Sequence, residues 1–162
     1  MRDKRWLMAL IAVVVVALDR VTKLWVVKHV EPGHAIVVIP RVFRITHVLN
    51  SGAAFSMFEG AKHPALVRNS LIWFSIVAVI VVLGILWKAG REVSILSVSL
   101  ALILGGAIGN LYDRVKLEYV VDFLEVHIVH YHWPDFNVAD SAIVVGVCLL
   151  LLEMLRPQQS SD

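Results

Sequence analysis

The sequence predicts a mainly α membrane protein: four transmembrane helices with a small extracytoplasmic antiparallel β-sheet, folded as a single integral membrane domain over 1–162. Three observations predict it. Hydrophobic residues make up 59% of the 162 residues, above the roughly 45–50% of a soluble domain even when glycine is counted, and the mean hydropathy is +0.78. That apolar excess needs a bilayer as its solvent. Four apolar segments, near 6–27, 66–87, 93–111 and 138–155, approach the roughly 20 residues that cross a hydrocarbon core of about 30 Å. A separate stretch, 34–58, is rich in β-branched and aromatic residues and alternates across Val42-Phe43-Arg44-Ile45-Thr46-His47-Val48, the pattern of short strands.

The first span follows the charged start MRDKR, as a signal peptide would, but its apolar run leads into Asp19 and Arg20 without a small-x-small cleavage site. It is read as a retained helix. Pro40 and Asn50-Ser51-Gly52 punctuate the strand region with turns. In the second span, Leu71 to Trp87 is interrupted only by Ser75 and Gly84. The third carries Ala101, Gly105 and Gly109, a ladder of small residues strengthened by Gly106 that lets a neighbouring helix come close. The fourth holds Cys148, a single cysteine, which excludes an intrachain disulfide and a cysteine metal site. Arg2, Lys4 and Arg5 before the first span, Lys88 and Arg91 after the second and Arg156 after the fourth form short basic flanks. By the positive-inside rule these face the cytoplasm, both termini included. A net charge of +2, with no basic cluster, counts against nucleic acid as a partner.

Ionisable side chains inside a span cost at least about 2.5–3.5 kcal/mol each at the helix centre, so each needs a reason. Asp19 lies about 20 Å up the first helix from Trp6, in the outer half of the membrane, with Lys23 one turn on. The two can form an i,i+4 ion pair with Arg20 snorkelling, and Asp19 can equally face the interior and brace polar groups of other helices. The motif Asn-x-x-Asp occurs at Asn110-Leu111-Tyr112-Asp113 and again at Asn137-Val138-Ala139-Asp140. On a helix each Asn stands beside its Asp and can donate to it, although Asn and Asp are also ordinary caps. Asp122 and Asp140 have apolar neighbours that desolvate them, whereas Asp113, followed by Arg114 and near Lys116, is expected to stay ionised. Two close carboxylates share a proton and offer a base and an acid to one water, the chemistry of aspartic proteases. The run HIVHYH, with His127, His130 and His132, fits a strand or interfacial loop at least as readily as a metal site, and no HExxH accompanies it.

Five motifs in this order, Asp19-Arg20-Val21-Thr22-Lys23, Asn50-Ser51-Gly52-Ala53-Ala54-Phe55, the run from Gly105 to Arg114, Val120-Val121-Asp122-Phe123 and the run from Phe136 to Ser141, resemble the bacterial lipoprotein signal peptidases, or signal peptidase II. The resemblance covers about residues 6 to 155. It implies an inner-membrane aspartyl endopeptidase that cuts a prolipoprotein before its diacylglyceryl-modified cysteine. By motif position Asp122 and Asp140 match the catalytic aspartates, and Asp19, Asn50, Asn110, Asp113, Arg114 and Asn137 match supporting or substrate-binding residues. Arg20 stands where many members carry Gln. The resemblance implies no cofactor and no metal, with lipidated prolipoproteins and membrane lipids as partners, and a monomer is expected. A transporter or proton channel would also place acids in spans, but four short spans without repeated halves argue against it. The segment from Asn50 to Lys62, with Phe55, Met57 and Phe58, is read either as an interfacial anchor or as a gate over the aspartates.

Overall fold

The computed structural model describes residues 3–52, 63–129 and 131–156. These form α1 (Arg5–His29), β1 (Ala35–Ile39), β2 (Phe43–Asn50), α2 (Pro64–Ala89), α3 (Ile95–Lys116), β3 (Val120–Ile128), β4 (Tyr131–His132) and α4 (Val138–Met154). The helices fall on the four apolar segments. Two of them, α2 from Ala65 and α3, are long and apolar enough to cross a membrane. The polar stations Asp19, Arg20 and Lys23 interrupt α1, and α4 has 17 residues, about 25 Å of helix.

α3 is the central helix and packs against α1, α2 and α4. Its glycines make this possible. A Cβ on Gly106 would sit 2.3 Å from the Ala139 carbonyl oxygen of α4, and one on Gly109 would sit 2.8 Å from Asp19 Oδ2 of α1. Absent side chains at these points let α3 touch both neighbours at the depth of the polar residues, as the ladder of small residues predicts. Below that depth Met8, Ala12, Leu86, Leu100, Ala101 and Leu104 form one apolar core, and above it Val26, Val30, Val121 and Phe123 form another. Outward-facing Trp73, Phe74, Ile80, Val144 and Leu152 remain exposed.

Two boundaries differ from the sequence reading. α3 continues to Lys116 instead of ending near 111, so Asp113 and Arg114 are helical; no Gly or Pro breaks the run, and Arg114 and Lys116 suit the negative end of the helix dipole. The helix closes with the Leu117 N–H donating to Asp113 O, and Glu118 turns the chain at φ 73°. The sheet also extends beyond 34–58. Its order is β1-β2-β3-β4, antiparallel throughout, and the long strand β3 comes from after α3. The strand alternative for HIVHYH holds at His127 and Ile128 and at Tyr131–His132, whereas the start of β3, Val120 to Phe123, escaped the strand reading because it is buried throughout, with apolar residues in both alternating positions around Asp122. Phe55, Met57, Phe58 and His130 lie outside the described residues.

If close approach is what α3 needs, Gly106→Val destabilises the fold by about 1–3 kcal/mol through overpacking against Ala139. Thermal unfolding in detergent checks this, and Gly84→Val, at a glycine whose added Cβ meets nothing within 4 Å, is the matched control and is expected to leave the transition unmoved.

Candidate active site

Asp122 reaches the helix bundle through backbone pairing that sequence does not reveal. The N–H groups of Phe123 and Leu124 donate to the Phe136 carbonyl, at 3.0 and 2.8 Å, and the Phe136 N–H donates back to Leu124 O at 3.1 Å. Phe136 immediately precedes Asn137, the N-cap of α4, so these bonds bring Asp122 to the start of the helix that holds Asp140. β2 fixes the other side. Val48 pairs with Asp122, and Asn50, two residues on and on the same face, stands diagonally opposite.

Asn137 joins the two acids. Its side-chain oxygen accepts from the Asp140 N–H at 2.9 Å while Asp140 Oδ2 accepts from the Asn137 N–H at 3.2 Å, a reciprocal capping box. Its amide nitrogen donates to Asp122 Oδ1 at 2.7 Å and to Asn110 Oδ1 at 3.2 Å. Asn50 Nδ2 donates to Asp122 Oδ2 at 2.9 Å, with its own oxygen accepting from the Gly52 N–H. Asn110 Nδ2 donates to Asp140 Oδ1 at 2.7 Å. Three asparagine amides therefore orient the two carboxylates. Burial, followed by the neighbouring Asp140 carboxylate, pushes the Asp122 carboxyl up to about 7, against the opposing pull of Asn50, Asn137 and Lys23.

The remaining residues form a buried ionic layer beneath. Lys23, 1% exposed, places its ammonium 2.9 Å from Asp19 Oδ2, 2.8 Å from Asp113 Oδ2 and 3.1 Å from Asn110 Oδ1. Asp19 Oδ1 accepts from the Ala139 N–H on α4, so Asp19 both pairs with Lys23 and braces another helix. Arg20 pairs with Asp113 Oδ1 and lies over the Tyr112 ring, 4.5 Å from its centroid, rather than snorkelling free.

Two pairings differ from the sequence reading. Asp113 is neutralised by Lys23 and Arg20, because Arg114, one residue on, projects about 100° away around the helix. Arg114 instead lies within electrostatic reach of Asp140 and Asp122 as well as Asp113. The asparagine amides also cross between motifs: Asn110 serves Asp140 and Asn137 serves Asp122, where each was expected to serve the Asp of its own motif. Lys23 was legible as an ion-pair partner but not as a site residue. Its signal was the spacing that puts it on the Asp19 face of the helix.

On the outer side of β3, Glu125 meets Arg44, His132 and His127. Burial opposes its charge, yet bonds from Arg44 and His132 hold its carboxyl down at about 2.

A close pair of acids at the end of an apolar helical bundle, under a small sheet, defines a membrane-enzyme architecture. The family model described as signal peptidase (SPase) II matches residues 11–156, and the chain belongs to the signal peptidase II family, whose members remove signal peptides from lipoproteins. A lipoprotein signal peptidase of Solibacter usitatus is 42% identical over 161 residues, covering 99% of this chain and 98% of its own. That of Bacillus subtilis is 41% identical over 149 residues, covering 90% and 91%. A solved bacterial membrane enzyme structure superposes with a TM-score of 0.85 at 30% identity, over 100% of this chain and 99% of that one. A second gives 0.83 at 32% identity. The protein is thus a membrane peptidase of this family.

The ionic layer makes its own prediction. Lys23→Met leaves Asp19 without its counter-charge and is expected to cost about 3–5 kcal/mol. Arg20→Met, which removes a partly exposed partner while Lys23 still serves Asp113, costs less. Equal losses on thermal unfolding of the two variants would show that Lys23 has no special place in the fold.

Proposed function

We propose that this peptidase is an aspartyl endopeptidase that removes the signal peptide from diacylglyceryl-modified prolipoproteins, cleaving before the lipid-modified cysteine, with Asp122 and Asp140 as the catalytic pair. The observation that carries this reading is the bridging of both carboxylates by one residue, Asn137, with Asp140 acting on the charge of Asp122. In it, the ionised carboxylate takes a proton from a water held between the acids, and the water oxygen attacks the scissile carbonyl. The protonated partner donates to the carbonyl oxygen. As the tetrahedral intermediate collapses and the C–N bond breaks, one of its hydroxyls returns a proton to the partner carboxylate and the proton taken from water goes to the leaving nitrogen, which restores the singly protonated pair. Asn50, Asn110 and Asn137 keep both carboxylates in register. Charge supports the shared proton: Asp19, Asp113 and a singly ionised pair are balanced by Lys23, Arg20 and Arg114. The chemistry needs no cofactor.

In the same reading all four helices span the bacterial cytoplasmic membrane as one domain and the protein works as a monomer. Lys4, Arg5, Lys88 and Arg91 gather at one end, where the Lys4 N–H donates to Arg91 O and Arg5 bonds Trp87 O. The sheet and the aspartates lie at the other. Basic residues inside put both termini in the cytoplasm and the aspartates near the outer face. A lipidated substrate then enters laterally, and its apolar signal helix and acyl chains supply binding energy remote from the scissile bond.

Incubating the detergent-solubilised protein with a lipidated prolipoprotein is expected to yield a mass loss equal to the signal peptide. Asp122→Asn and Asp140→Asn each abolish that loss while remaining folded, since an amide cannot alternate between base and acid. EDTA leaves turnover within twofold, because water activation rests on two carboxylates; near-wild-type turnover in either aspartate variant would refute the aspartate mechanism.

A pH profile tests the shared proton. A carboxyl raised to about 7 holds its proton below that pH and loses it above, so turnover falls as pH rises through about 7. Stability moves in the same direction: the unfolded carboxyl ionises near 3.8, so the stabilisation by the bound proton is complete below that value and is lost up to about 7. Asp122→Asn cannot ionise, so its melting temperature is expected to rise relative to wild type between pH 5 and 8. A flat difference would assign the high carboxyl to another residue.

A further inference from the structure

The HIVHYH segment plays no part in the proposed peptidase chemistry, and the fold gives it a geometry of its own. Strand period places Glu125 and His127 on one face of β3, and the β3–β4 hairpin pairs His127 with His132. Asp122 lies three residues before Glu125, across a bulge where the Phe123 and Leu124 N–H groups both donate to the Phe136 carbonyl, and it bonds Asn50 and Asn137 while Glu125 bonds Arg44 and His132. One ligand atom from each of Glu125, His127 and His132 lies within 4.8 Å of the others. The imidazole rings meet edge to face with centroids 4.9 Å apart. His127 Nε2 is buried 3.3 Å from Glu125 Oε1 and makes no hydrogen bond among the described residues.

We propose that Glu125, His127 and His132 form a binding site for one zinc ion on the outer sheet, separate from the aspartate pair. Two imidazoles and a carboxylate are a donor set suited to zinc rather than to magnesium or calcium, which take oxygen ligands. Zinc bonds of about 2.0–2.1 Å in a tetrahedron set ligand atoms about 3.3 Å apart, the spacing that His127 and Glu125 already have. The ion takes the place of the proton between His132 and Glu125. His132 is half-exposed on a two-residue strand and free to open to that spacing. Arg44 bonds both oxygens of Glu125. With zinc on Oε1, its Nε keeps Oε2 and orients the carboxylate from the outer shell. The fourth position opens to solvent beside exposed His132. Zinc there ties β4 to β3, clipping the end of the strand that holds Asp122.

The test uses full-length, tag-free protein in detergent, stripped with chelator and titrated with zinc chloride by calorimetry. One zinc per chain is expected, with a rise in melting temperature. His127→Ala and His132→Ala each weaken binding at least tenfold, whereas His34→Ala, an exposed histidine in the turn before β1, leaves it unchanged. X-ray absorption on zinc-loaded wild type supplies a reading that needs no variant: two imidazole nitrogens at about 2.0–2.1 Å are expected. Absence of stoichiometric binding, equal affinity in the His127 and His132 variants, or an all-oxygen shell would overturn the site. None of these readouts depends on cleavage, so failure here and failure of the aspartate mechanism are distinguishable.

Discussion

A single buried ammonium organises the interior of this protein. Lys23 bonds Asp19 on its own helix, and Asp113 and Asn110 on α3, while Asp19 reaches on to the backbone of α4. Three helices therefore meet at one charge. Burying that charge costs several kcal/mol unless every partner is in place, so the depth and rotation of α1, α3 and α4 are coupled. Apolar surfaces alone would allow these helices to slide and turn against one another. The ionic layer removes that freedom, and the asparagines above it inherit their positions.

The glycines of α3 serve the same constraint from the other side. Asp19 is close enough to reach α4 because Gly109 has no side chain to hold the helices apart. Gly106 lets the Ala139 backbone approach α3, and Ala139 N–H is the donor that Asp19 receives. Close packing and polar satisfaction are thus one requirement. A membrane interior offers no water to bond a displaced amide or carboxylate, which makes partial satisfaction costly.

Asn137 shows how one residue serves both fold and site. As the N-cap of α4 it accepts, through its side-chain oxygen, from the Asp140 N–H, a backbone donor that the helix would otherwise leave bare. Its side-chain amide nitrogen, left free by a cap that uses the oxygen, donates to Asp122 and Asn110. The helix start, the strand β3 and the central helix are joined at that side chain, which gives the acids of this signal peptidase family member a rigid setting before any substrate arrives. In the proposed mechanism, such preorganisation spares the reaction the cost of orienting its acids.

By itself the sequence determined what depends on local pattern. Apolar runs located the helices, since hydrophobicity over about 20 residues is a property of adjacent residues. Spacing by four put Asp19 and Lys23 on one helical face, and the motif order singled out Asp122 and Asp140 as the candidate pair. Tertiary structure decided the pairings. Asp113 took Lys23 and Arg20 instead of its neighbour Arg114, and the asparagines exchanged acids between motifs, because side chains in a bundle are matched by helix rotation and depth, not by distance along the chain. The start of β3 had the same cause: Val120 to Phe123 are buried throughout and leave no alternation to read, and only pairing with β2 and Phe136 made them a strand. That pairing carried Asp122 back to Asp140, eighteen residues on, a contact encoded in the hydrogen bonds of the backbone and so invisible to any pattern of side chains.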